Sequence, residues 1–192
     1  MSTRGHAPIA PETQAQASSG LPVTAFFCGE RQRGDDAVAF VLLDALPRAL
    51  RRRFARVHVG APDPGPLLDA LAVGPCIVVD AVSGCAPGAI VTMPLEAIAR
   101  SGHRQGSRAV AGPRSSHLLT LAATLALVET LLDAPLRGTF VGIGVRDCSF
   151  GEGLSAEVAD ALPAALRALD AALAQLDAEA EAATTTSSGG QS

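Results

Sequence analysis

The chain has 192 residues, 48% of them apolar and 18% charged, and carries a net charge of -4. That is enough for one domain with a full core, and with no tryptophan or tyrosine and only six phenylalanines the core has to be built from Ala, Val, Leu and Ile. The acidic balance speaks against a nucleic-acid partner, because the densest basic run, Arg51 to Arg53, follows an apolar helical pattern and reads as a positively charged helix C-terminus.

In chain order, residues 1–20 are polar, contain Pro, Ser and Gly, and show no period; they are expected to be a disordered tail. VTAFFCG reads as a buried first strand. DDAVAFVLLDALPRAL has apolar residues at Val38, Val41, Leu42 and Ala45, a helical spacing, with a break or kink expected at Pro47. RVHVG is a second strand, and PGPLLDALAV a short helix begun at a proline. CIVVDAV is an apolar strand expected to end in Asp80. PGAIVTM follows too soon for a helical crossover, so it should pair antiparallel or lie at a sheet edge.

Ser101 to Arg114 is poor in apolar residues and is expected to be a long loop. SSHLLTLAATLALVETLL is an apolar helix capped by Ser115 or Ser116, GTFVGIGV a further buried strand, and LSAEVADALPAALRALDAALAQLDAEAEA the final helix, capped by Ser155 and marked by Pro163. The folded part is expected over 21–180, with a second disordered tail over 181–192. Alternating β and α elements with fully apolar strands predict an α/β fold. The expected architecture is three layers: a twisted, mostly parallel sheet of about five strands with helices on both faces.

Four cysteines, Cys28, Cys76, Cys85 and Cys148, form no C-x-x-C pair. They read as small residues with free thiols in a reducing compartment. No run approaches about 18 apolar residues, and no signal peptide is evident, so the cytoplasm is the expected compartment and no membrane partner is expected. Neither G-x-G-x-x-G after the first strand nor G-x-x-x-x-G-K-[ST] occurs, so nucleotide binding lacks its phosphate-cradling signals. The G-x-S-x-G elbow of a hydrolase is also missing. Cys85, in SGCAPG, reads as a turn residue, with no histidine evidently placed to activate it.

In open α/β sheets, ligands bind beyond the carboxyl ends of the strands. Asp36 follows the first strand, Asp80 sits at the end of CIVVD, and His117 opens the long apolar helix. A helix N-terminus disfavours imidazolium, so His117 should be neutral and able to donate a lone pair. Two carboxylates and one neutral imidazole suit a divalent metal. Each also has a plain structural reading: Asp36 as a dipole partner in a first helical turn, Asp80 as a turn cap, His117 as a surface residue. His6, His58 and His103 lie in the tail, a strand and the loop and have weaker claims.

Four stretches in order, RGDDAVAFVLLDAL, VVDAVSGCAPGAIVTM, SSHLLTLAATLAL and FVGIGV with FGEGLSAEVADAL, together resemble the hydrogenase maturation protease family. Those endopeptidases trim the C-terminus of the nickel-iron hydrogenase large subunit. The resemblance implies a catalytic and metal-contacting trio of Asp36, Asp80 and His117, with Asp35 left for a cap or for support. It implies a hydrogenase large-subunit precursor as partner, and nickel supplied by that precursor rather than a resident cofactor. A carboxylate or metal-polarised water would attack the scissile carbonyl. A three-ligand site with open positions is also open to adventitious zinc or cadmium. A monomer is expected. Two stretches depart from the family pattern. CGERQ has Cys28 and Glu30 where a glycine and an asparagine are usual, and HVGAPD has His58 where an aspartate is usual. They leave room for a non-cleaving, metal-centre-binding maturation chaperone; fold alone also leaves room for a flavodoxin-like small-molecule enzyme.

Overall fold

A computed structural model of the protein describes residues 22–104, 118–151 and 153–188. Five strands, β1 (Val23–Phe27), β2 (Phe54–Val59), β3 (Cys76–Val82), β4 (Ile90–Pro94) and β5 (Gly138–Gly144), form one sheet in the order β2-β1-β3-β5-β4. Four of them run parallel, and β4 lies at the edge, antiparallel to β5. Both options open for PGAIVTM therefore hold together. The short link from β3 leaves no room for a crossover helix, so the chain has to turn back at the edge.

The helices are α1 (Val38–Asp44), α2 (Arg48–Arg51), α3 (Pro64–Val73), α4 (Leu95–Arg104), α5 (Leu118–Leu132) and α6 (Ala156–Ser188). Pro47, which has no N–H to donate, falls at the break of the predicted first helix into α1 and α2, whereas Pro163 is carried within the continuous α6. Asp63 caps α3, accepting the Gly65 N–H at 3.0 Å, with Pro64 at the first helical position.

Strand alternation divides the core into two. Val23, Ala25 and Phe27 of β1 and Ile77, Val79 and Ala81 of β3 meet α1, α2 and α6. Phe26 and Cys28, with Cys76, Val78 and Val82, meet α3, α4 and α5 on the other face. The expected three-layer, mostly parallel α/β fold is the observed one. Each fully buried Leu or Ile, such as Leu42, Ile77, Leu125 and Leu169, contributes about 2 kcal/mol by leaving water.

Three expectations need correction. β3 does not end at Asp80 but continues to Val82, because the Asp80 side chain is accommodated inside the sheet layer rather than at a turn. The expected loop from Ser101 begins inside α4, which runs to Arg104 and packs Leu95, Ile98 and Ala99 into the second core. His103 joins Glu129 of α5 at 3.0 Å. The rest of that stretch lies outside the described residues, as do Ser115, Ser116 and the first 20 residues. Helix α6 carries on past the expected end of the fold at 180, to Ser188.

Candidate functional site

In the order β2-β1-β3-β5-β4, the direction of winding reverses between β1 and β3. This is the switch point, where an open α/β sheet leaves a crevice beyond its carboxyl ends. β1 reaches it with Cys28, whose N–H donates to the Val79 carbonyl at 2.8 Å and so extends the β1–β3 ladder by one residue. Asp80 is the next residue of β3. It shares the sheet face of Val78 and Val82, which is the α5 face, and its Oδ1 accepts the Ala81 N–H at 2.8 Å.

Asp36 arrives from the other side, on a 3-10 turn over Gly34–Ala37. Gly29 makes that approach possible. Its φ is +132°, and a Cβ there would collide with the Asp36 carbonyl, so any other residue would push the turn off the end of β1. Asp36 is buried, as are Asp80 and Asp35.

Cys28 stands within electrostatic reach of both carboxylates. Burial first, then the negative charges of Asp80 and Asp36, push its thiol far above the ordinary value. That shift disfavours a free thiolate nucleophile at Cys28. Cys148 is pushed up to about 11, first by burial and then by Asp36 and Asp35. All four cysteines are free thiols, as expected. Cys85 is also raised by burial, which argues against a reactive role.

Asp35, left open between cap and support, proves to be a long-range tie. Its Oδ2 accepts the N–H groups of Arg146 at 2.9 Å and Asp147 at 3.2 Å and the Ser155 hydroxyl at 2.9 Å; its Oδ1 accepts the Ser155 N–H at 2.6 Å. Burial acts to raise its pKa, but these donors outweigh it and hold the carboxyl below the ordinary range. The expected Ser155 cap of the last helix thus has its hydroxyl committed to Asp35. The backbone adds three further ties: Gly34 N–H to the Gly151 carbonyl at 3.0 Å, Asp35 N–H to the Asp147 carbonyl at 2.9 Å and Gly151 N–H to the Gln32 carbonyl at 3.1 Å.

Of the expected trio, Asp36 and Asp80 are both buried and both act electrostatically on Cys28. The third expected member, His117, lies outside the described residues, immediately before α5. Among the described residues no three His, Cys, Asp or Glu side chains are grouped to hold a metal. A pocket of about 330 Å³ opens at the ends of β1 and β2, lined by Phe26, His58, Val59, Gly60 and Asp63 among others; neither Asp36 nor Asp80 lines it. His58 stacks on Phe26 with ring centroids 4.7 Å apart. Among the described residues no helix is long and apolar enough to cross a membrane.

Sequence reasoning missed two features of this site: the electrostatic link of Cys28 to both acids, and the fastening of residues 146–151 to the Asp35 turn. The adjacent aspartates were a visible signal for the second. A buried helix start rarely needs two acids, so one of them was free to bind elsewhere.

No family model matches the sequence, and no curated protein is similar to it. Solved structures are. The chain is similar to the hydrogenase maturating endopeptidase HybD from E. coli (TM-score 0.61, 21% identity, covering 81% of this chain and 93% of that one). It is also similar to the [NiFe] hydrogenase maturation protease HybD from Thermococcus kodakarensis (0.59, 19%, 78% and 97%) and to HycI of the same organism (0.51, 15%, 83% and 94%). What they share with this chain is the fold.

Proposed function

We propose that this chain, which has the fold of the hydrogenase maturation proteases, is an endopeptidase that removes a C-terminal peptide from a nickel-loaded hydrogenase large-subunit precursor. What supports the proposal is that Asp36 and Asp80 are both buried, and both within electrostatic reach of Cys28, at the switch point of a sheet whose solved likenesses bear that activity in their names. Asp36, Asp80 and His117 act as the contacts to the precursor's nickel, which is part of the substrate. Hard carboxylate oxygens and a neutral imidazole match a borderline divalent ion. Cleavage is then confined to precursors that carry the metal, because the metal is what draws the peptide bond to the carboxylates. Asp36 or Asp80 serves as base toward the attacking water.

The test is incubation with nickel-loaded precursor, followed by intact mass. Wild type is expected to shorten the precursor, and Asp36→Asn, Asp80→Asn or His117→Ala to slow the step at least about a hundredfold. Binding of uncut precursor by wild type without any shortening would overturn the peptidase reading and leave a maturation chaperone.

A further inference from the structure

Phe150 is 80% exposed, the most exposed large apolar side chain among the described residues. A single exposed apolar residue is ordinary on a protein surface. This one differs in how firmly the backbone beneath it is fixed. On the N-terminal side Asp35 accepts the N–H groups of Arg146 and Asp147, and Arg33 Nε donates to the Cys148 carbonyl at 2.9 Å. Asp147 Oδ1 accepts the Ser149 N–H at 2.8 Å and its hydroxyl as well. On the C-terminal side Gly151 is bonded to Gln32 and Gly34. The ring is therefore held out in water by a rigid base. The Arg33 guanidinium lies over it at 5.9 Å from the ring centre.

That base is fastened to the turn that carries Asp36, through the Asp35 carboxylate and the Gly34 and Asp35 N–H groups. We infer that residues 146–151 are a recognition arm of the site, on which Phe150, flanked by Arg33, receives an apolar side chain of the precursor polypeptide. This deepens the processing reading and rests on it. The ring stands on the surface rather than inside a cavity, so it suits a macromolecular contact and cannot enclose a small ligand. Aromatic residues, Phe among them, and arginine are enriched in such contacts relative to the rest of a protein surface. Because the arm is already ordered, docking costs little conformational entropy.

The experiment compares wild type, Phe150→Leu and Phe150→Ala for cleavage of the nickel-loaded precursor, with melting temperature and sedimentation measured alongside. Phe150→Ala is expected to raise KM about tenfold with kcat nearly unchanged, Phe150→Leu to fall between, and all three to melt within a few degrees of one another. An unchanged KM overturns the arm and leaves the peptidase reading standing. A lowered kcat at constant KM, a much lowered melting temperature, or a self-associated wild type dispersed by Phe150→Ala also overturns it. Wild type that neither binds nor cuts precursor defeats the function itself, and the arm with it.

Discussion

The carboxyl rim of the sheet has two unlike halves. On the β5 side, residues 146–151 are bound to the Asp36 turn by a buried carboxylate, an arginine and paired backbone hydrogen bonds. On the β2 side, the chain after Val59 is open: Val59 is exposed, a Cβ on Gly60 would meet nothing within 4 Å, and a pocket lies alongside. The departures from the family pattern fall on both halves, Cys28 and Glu30 at the turn and His58 at the open strand. The difference teaches where change is tolerated. A residue such as His58 can be exchanged with little effect on the fold, whereas the tightly fastened turn constrains its neighbours.

The strongest way to break this comparison is Asp35→Ala, which leaves three partly buried backbone N–H groups without their acceptor. The expected loss is about 3 kcal/mol in denaturant unfolding. The pH dependence sharpens it. Asp35 is held below its ordinary value in the folded chain, so the unfolded chain takes up the proton first. The carboxylate's stabilisation is then complete above about pH 4 and fades below it. The gap between wild type and Asp35→Asn should narrow as the pH falls through that range; a constant gap would show that the charge is not what the donors hold. Gly29→Ala comes next, at about 2 kcal/mol, because the left-handed φ and the collision with the Asp36 carbonyl act together.

A third effect lies beneath both halves. Burial pushes the Cys76 thiol up to about 12. A raised acid contributes stability below its unfolded value and loses it as pH climbs. Above about pH 8.5 wild type should lose about 1.4 kcal/mol per pH unit from this group, and Cys76→Ala should remove that slope. The smallest effect belongs to the open half. His58→Ala gives up one ring stack, for about 1 kcal/mol or less. If it costs as much as Asp35→Ala, the two halves are not unlike after all.

Most of the fold was legible because it rests on local pattern: apolar strands, the break at Pro47, the proline-led α3 and the return of β4. Helix α4 was not legible. Its apolar residues Leu95, Ile98 and Ala99 are spaced for a helix, but the Gly, Arg and Ser that follow drew the eye to a loop. The end of β3 was misplaced because a polar residue was taken to mark a strand terminus, and Asp80 is buried instead. Asp36 and Asp80 could be nominated from their positions after strands. The partners of Asp35 could not, since nothing local links it to Ser155 and the hydroxyl chosen as a cap served a distant carboxylate.

The hydrogen bonds of Asp35 join residues 111, 112 and 120 positions apart. Contacts of such separation close late, after the intervening chain has collapsed. During translation, the turn bearing Asp36 therefore stays unfastened until Ser155 has left the ribosome. A nascent or truncated chain lacking the β5 end carries both aspartates yet has no means of setting one against the other.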